Sequence, residues 1–251
     1  MKLSGVLPAL VTPWKKDPPH ALEIDEDALR RLVADQIGAG VSGLVPCGTT
    51  GEASTMDAGE YERIVRIVVE EAKGRVPVIA GAGTNDTKGS IERATVAKRA
   101  GATGLLLITP YYNKPTQEGL YQHFAAVVRA VPLPAVLYNV PSRTGVDLLA
   151  DTIARLAEID AIVAVKEATG TVQRTQQILA KTGDRITVLS GEDGLHLALL
   201  CLGAKGIISV TSNVAAAQMV AVDQALAAGD LARARALHYA LLPLHDAMFV
   251  E

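Results

Sequence analysis

Residues 161–170 read Ala-Ile-Val-Ala-Val-Lys-Glu-Ala-Thr-Gly: five apolar residues, a lysine and a glutamate, then small residues leading into a helical pattern. A run that is apolar at every position, rather than at alternate ones, marks a strand covered on both faces. The same unit recurs along the chain, with eight such runs at 5–12, 42–47, 76–80, 104–109, 134–139, 161–166, 186–190 and 206–211.

Helix signals separate the runs. Asp25 is placed to cap a helix carrying Leu29, Leu32, Val33 and Ile37 that stops near Gly38 and Gly40. Asp57 precedes Tyr61, Ile64, Val65 and Val68, and that helix ends around Lys73-Gly74. Thr116 caps the stretch with Leu120, Phe124 and Val127, while Asp147 and Thr171 open two more. A helix between consecutive strands makes those strands parallel. Eight β-α units in about 210 residues predict an α/β fold, a closed (β/α)8 TIM barrel. A doubly wound sheet needs a glycine-rich loop after its first strand. Thr12-Pro13-Trp14 stands there instead, and Gly81-Ala82-Gly83-Thr84-Asn85-Asp86 lacks the third glycine. Two further helical stretches, 215–227 and 230–248, follow the last run. The expected organisation is a barrel over 1–213 and a short C-terminal helical extension over 214–251.

The 251 residues are 49% hydrophobic and 20% charged, enough for one sizeable core and too apolar for disorder. With 24 Lys+Arg against 27 Asp+Glu the net charge is −3, which leaves no footprint for nucleic acid. The longest uncharged stretch, 206–222, carries Ser209, Thr211, Ser212, Asn213 and Gln218 and is too short and polar to span a bilayer. Pro8 and Pro13 interrupt the apolar start, so no secretory signal is read and the expected location is cytoplasmic. Cys47 and Cys201 sit in apolar runs, as packed thiols would. His20, His123, His196, His238 and His245 make no metal-binding spacing and are read as surface or packing residues, so no metal or other cofactor is expected.

In such barrels the strand C-termini and the loops after them form the active-site mouth. Lys166 ends its run where a core residue is expected. Alternation puts Ile162, Ala164 and Lys166 on one face and Glu167 on the other, so the neighbouring acid is poorly placed as its partner. A distant carboxylate, or snorkelling to the mouth, is the structural alternative. An amine attacks a carbonyl only when unprotonated, and apolar walls disfavour its charged form, which suits Schiff-base chemistry.

Other mouth positions could serve that amine. Tyr138, ending the 134–139 run, is either a proton carrier or a rim packing residue. Arg143 offers a planar fork to a carboxylate, unless it is simply solvated. Gly48-Thr49-Thr50-Gly51-Glu52 leaves backbone N–H groups and two hydroxyls for an anion, or makes an ordinary turn. Tyr111-Tyr112-Asn113 follows the fourth run, Ser190-Gly191-Glu192-Asp193 ends the seventh, and Ile207-Ile208-Ser209 lies in the eighth.

Four motifs in order resemble the 4-hydroxy-tetrahydrodipicolinate (dihydrodipicolinate) synthase family: Gly48-Thr49-Thr50-Gly51-Glu52, Tyr111-Tyr112-Asn113-Lys114-Pro115, Tyr138-Asn139-Val140-Pro141-Ser142-Arg143-Thr144-Gly145 and Val165-Lys166-Glu167-Ala168-Thr169-Gly170. The likeness runs over nearly the whole chain. It implies a Schiff-base lyase of lysine and diaminopimelate biosynthesis, in which Lys166 forms an imine with pyruvate and the enamine attacks L-aspartate 4-semialdehyde. It implies a proton relay of Tyr138, Thr49 and Tyr112, with Tyr112 reaching the neighbouring subunit's site in a homo-oligomer, a dimer or dimer of dimers. It makes Thr50 the holder of the pyruvate carboxylate and Arg143 the anchor of the semialdehyde carboxylate. Gly191 and Ile208 correspond to backbone positions lining the site.

Neuraminate lyases and 2-keto-3-deoxy sugar acid aldolases share the barrel, the lysine and the tyrosine. Their polyol substrates ask for a different loop from Pro141-Ser142-Arg143, so Arg143 decides between the readings. Ala58, Tyr61 and Gly89 stand where lysine-inhibited members often carry histidines and an acid, near Tyr111 and Asn85, so weak or absent feedback is expected. The family also continues past Phe249-Val250-Glu251 with a longer helical tail, without which apolar helix faces would be exposed. A shortened paralogue that binds a small carboxylate or pairs with a full-length subunit, without turnover, is the remaining alternative.

Overall fold

The computed structural model describes residues 1–16 and 23–250, so His20 and Glu251 lie outside the described residues. Its strands are β1 (Gly5–Pro8), β2 (Ile79–Gly81), β3 (Gly104–Ile108), β4 (Ala135–Asn139), β5 (Ile162–Glu167), β6 (Thr187–Ser190) and β7 (Gly206–Ser209). They form one sheet in the order β1-β7-β6-β5-β4-β3-β2, every pair parallel.

The expected strand at 42–47 is not a regular one; only isolated parallel bridges occur there, Ala9–Val45 and Leu44–Val78. Pro46 has no N–H to donate toward its neighbour, which breaks the ladder. The segment still bonds on both sides. Val45 N donates to Pro8 O at 2.9 Å, and Leu44 N donates to Pro77 O at 2.9 Å. It therefore joins the β1 edge to the β2 edge, and the α/β barrel closes.

The connections are helical: α1 (Glu26–Gly38), α2 (Ala58–Ala72), α3 (Thr87–Arg99), α4 (Gln117–Ala130), α5 (Pro141–Thr144), α6 (Ala150–Leu156), α7 (Val172–Thr182) and α8 (His196–Cys201), followed by α9 (Ser212–Ala227) and α10 (Leu231–Ala247). Asp25 caps α1 through Ala28 N, Asp57 forms a reciprocal capping box with Glu60 on α2, and Thr116 caps α4 through Gly119 N. Asp147 does not open a helix. Its carboxylate instead takes both arms of Arg174 at 2.7 Å, and α6 starts at Ala150 without a side-chain cap. Thr171 does precede α7, but its hydroxyl meets Thr169 Oγ1 at 3.1 Å rather than the helix.

Alternate residues of the same strands fill two apolar layers. Leu7, Leu106, Val136, Ala164, Leu189 and Ile208 pack inside the barrel, while Leu105, Leu137, Val165, Val188 and Ile207 pack outward against the helices. This double burial is why the runs read as continuously apolar. One strand breaks phase. Ala135 pairs with Ile162 but Val136 pairs with Ala164, leaving Val163 as an extra residue in β5. Ile162 consequently joins the outer layer, against the alternation expected from the sequence, whereas Ala164 stays inside. Cys47 is buried, but Cys201 is exposed, because it sits at the solvent-facing end of α8. Among the described residues no helix is long and apolar enough to cross a membrane.

Candidate active site

Tyr138 and Lys166 are register partners on adjacent strands β4 and β5, two residues beyond the inward-facing pair Val136 and Ala164. The inward phase therefore carries both side chains into the barrel's C-terminal end. Lys166 is 5% exposed and Tyr138 6% exposed, and the Lys166 amine lies 4.2 Å from the centre of the Tyr138 ring. Glu167 points the other way, as alternation requires: Oε1 accepts from Thr169 N at 2.7 Å and Oε2 from Asn139 Nδ2 at 3.3 Å. No ion pair engages Lys166 among the described residues. Asn139, register partner of Glu167, also donates to Asp147 Oδ1 at 3.0 Å and accepts from Leu148 N at 2.9 Å. The outer faces of the two strands are thus stitched together directly behind the amine and the phenol.

Gly191, just after β6, donates its N–H to Glu167 O at 2.7 Å. A Cβ there would stand 2.6 Å from Ala168 Cβ and 3.1 Å from Lys166 Cε, so only glycine leaves room for the lysine stem.

Thr49 and Thr50 lie on the turn after the closing segment, where Gly51 N donates to Gly48 O at 3.1 Å and Glu52 N to Thr49 O at 3.0 Å. Thr12 Oγ1 anchors the turn by donating to Gly51 O at 2.8 Å. Arg143 rides on the helical turn α5, which starts with Pro141 at its first position and stops at Gly145 with φ 67°. Thr144 braces that turn, its hydroxyl donating to Val146 O at 2.9 Å. Arg143 makes no ion pair among the described residues, which leaves its fork free for a ligand.

A cavity of about 380 Å³ brings together Thr49, Thr50, Tyr138, Arg143, Lys166 and Gly191 from the sequence-based set. Two members of that set lie outside it. Tyr112 is 87% exposed with φ 73°, its N–H tied to Thr144 O at 3.1 Å. Ile208 is fully buried in the barrel interior as register partner of Leu7, and Val210 is the residue beyond that strand which reaches the cavity. Glu192, Met248 and Phe249 also line it, unassigned by the sequence reading. An acid directly after the strand-end glycine was the visible signal for Glu192. Nothing local marks Met248 and Phe249, which arrive from the end of α10. Burial raises the proton affinity of Glu192, as does Asp193, while Lys166 and Arg143 oppose the shift.

A neighbouring cavity of about 260 Å³ shares Thr49, Tyr138 and Arg143 and includes Cys47. Burial pushes the Cys47 thiol up to about 12, so it is no nucleophile near neutrality. Of the histidines, His123, His196, His238 and His245 are all buried rather than on the surface. Among the described residues no group of His, Cys, Asp and Glu could hold a metal ion. What the cavity can do is covalent amine chemistry beside a phenol and two threonine hydroxyls, with a guanidinium at the rim.

The chain matches the model of the dihydrodipicolinate synthetase family over residues 2–251. It is 53% identical to a 4-hydroxy-tetrahydrodipicolinate synthase of Sorangium cellulosum, across 100% of this chain and 83% of that protein. Its fold superposes with TM-score 0.96 on the 4-hydroxy-tetrahydrodipicolinate synthase of Methylacidiphilum fumariolicum, 39% identical, covering 100% of this chain and 82% of the other. A dihydrodipicolinate synthase variant described as monomeric gives TM-score 0.95 at 42% identity, covering 99% of this chain and 82% of that one. A family match over nearly every residue, joined to a buried lysine over a register-paired tyrosine, places the chain in the dihydrodipicolinate synthetase family.

Proposed function

We propose that this chain condenses pyruvate with L-aspartate 4-semialdehyde, giving 4-hydroxy-tetrahydrodipicolinate by way of an imine on Lys166. The carrying observation is the Lys166 amine, buried at the strand ends and 4.2 Å from the centre of the Tyr138 ring. The amine adds to the pyruvate keto carbon and water leaves, forming the imine. Loss of a methyl proton gives the enamine, whose carbon attacks the aldehyde.

Each proton move needs a carrier at hydrogen-bond reach. Tyr138 and Thr49 line the same cavity as the amine and fill that role here. Tyr112 lies outside its own chain's cavity and is 87% exposed, so its part in the relay requires a second copy, and a homodimer belongs to the proposal. Thr50 holds the pyruvate carboxylate with its free hydroxyl and turn amides. Arg143 takes the semialdehyde carboxylate, for which its fork is shaped. Gly191 clears space for the lysine stem, and Ile208 supports the wall through its strand backbone.

Borohydride treatment in the presence of pyruvate tests the reading. One pyruvate-derived mass is expected on a peptide containing Lys166, and no adduct, or an adduct elsewhere, rejects it. Product analysis with aspartate semialdehyde then separates this activity from sugar acid aldol chemistry.

A further inference from the structure

Glu192 is the one carboxylate among the residues lining the catalytic cavity, which it shares with Lys166 and Arg143. Its backbone is fixed from both sides. Ser190 Oγ donates to Glu192 O at 2.9 Å and accepts from Glu192 N at 3.1 Å. The next residue, Asp193, is 3% exposed, and its carboxylate accepts from Ser209 Oγ at 2.5 Å, Val210 N at 3.0 Å and Thr211 N at 3.3 Å. Asp193 is thus spent on joining this loop to the end of β7. Glu192 is not: its carboxylate has no hydrogen bond or ion pair among the described residues. A half-buried acid held rigidly at a reaction cavity, with its oxygens unused, is available to a ligand.

The chemistry of the second substrate says which part of it. L-Aspartate 4-semialdehyde is an α-amino acid with its aldehyde one methylene removed from the α-carbon, so it brings a carboxylate and an ammonium on the same carbon. If Arg143 takes the carboxylate, the ammonium beside it enters a half-enclosed site and needs an acceptor of negative charge. We propose that Glu192 binds the α-ammonium group of the amino aldehyde and accepts its proton when the ring closes, making it a catalytic and specificity-determining residue. The proposal rests on the pyruvate–semialdehyde reading above.

The ring-closing step balances without oxidant or cofactor. The ammonium gives one proton to the Glu192 carboxylate, and the freed nitrogen lone pair attacks the iminium carbon bound to Lys166. A proton passes from the incoming nitrogen to the Lys166 nitrogen. The carbon–Lys166 bond then breaks with its electron pair, leaving a free lysine amine and a cyclic iminium. Burial and Asp193 raise the proton affinity of Glu192, against the pull of Lys166 and Arg143, and so favour this transfer over one to a solvated carboxylate.

The test compares wild type with Glu192→Gln and Glu192→Asp, using aspartate semialdehyde and the same aldehyde without its amino group, 4-oxobutanoate. Glu192→Gln is expected to lower kcat/KM for aspartate semialdehyde by at least about tenfold, the value of a charge-assisted contact. Use of 4-oxobutanoate in the carbon–carbon step should change by less than about twofold, and Glu192→Asp should recover part of the loss. Borohydride trapping of pyruvate on Lys166 should persist in all three proteins, which also reports correct folding. Equal losses with both aldehydes, or no loss with either, overturn the role of Glu192. Wild type that fails to trap pyruvate overturns the reading beneath it instead.

Discussion

The Lys166 amine stands over the face of the Tyr138 ring, 4.2 Å from its centre, because the two residues are register partners on neighbouring parallel strands. Ring and hydroxyl can therefore be separated by experiment. Tyr138→Phe keeps the buried ring and removes only the hydroxyl proposed as proton carrier. Thermal unfolding is expected to move by no more than a few degrees, whereas kcat falls by about 10²–10⁴-fold. Parallel losses in stability and rate would assign Tyr138 to packing alone.

Gly191 offers a second handle on the same amine. Its missing Cβ is the space occupied by Ala168 Cβ and Lys166 Cε. Gly191→Ala should cost about 1–3 kcal/mol of stability through overpacking. It should also slow borohydride trapping of pyruvate, because the lysine stem must shift. Urea denaturation and trapping rates measured on one preparation check both; unchanged trapping would mean that the stem has slack there.

Asp147 gives a dependence on pH. The Arg174 guanidinium holds its carboxyl below the ordinary range, assisted by Asn139. A depressed folded value means that its contribution is present above the unfolded value and is lost as pH falls through the folded one. Asp147→Asn should therefore destabilise the protein near neutrality by about 1 kcal/mol, discounted for partial exposure, with the difference shrinking below about pH 4. Denaturant titrations from neutral to acid pH measure it. A difference that stays constant over that range contradicts the assignment.

Feedback by lysine should be weak. Ala58 and Gly89 bring no charged group, and Tyr61 is 1% exposed, packed beneath the Arg93 guanidinium at 5.3 Å. A dicationic, carboxylate-bearing amino acid finds few partners among them. Initial rates should stay above half their maximum in sub-millimolar lysine; half-loss in that range would show otherwise.

What the sequence made legible was local. Asp25, Asp57 and Thr116 announce their helices because a cap bonds to amides two or three residues away. Lys166 stood out because a cation ended an apolar run. Asp147 misled because its partner, Arg174, lies one β-α unit later and outcompetes a cap. The segment 42–47 kept its place in the ring but not its regularity, since Pro46 cannot donate. The inward phase of Ile162 failed at an extra residue that no composition rule exposes. Glu192, Met248 and Phe249 became site residues only once distant loops met around the cavity.

That extra residue, Val163, has a bearing on how this strand can drift in evolution. Lys166 faces inward by counting from Ala164, above the irregularity, so losing or regaining one residue at 163 is absorbed where it occurs. The same single-codon change between Ala164 and Lys166 has no such cushion: it would turn the amine into the apolar helical layer, costing the barrel both its inward lysine and stability. Descendants of this chain can therefore vary in length just beneath the reactive residue, yet not beside it.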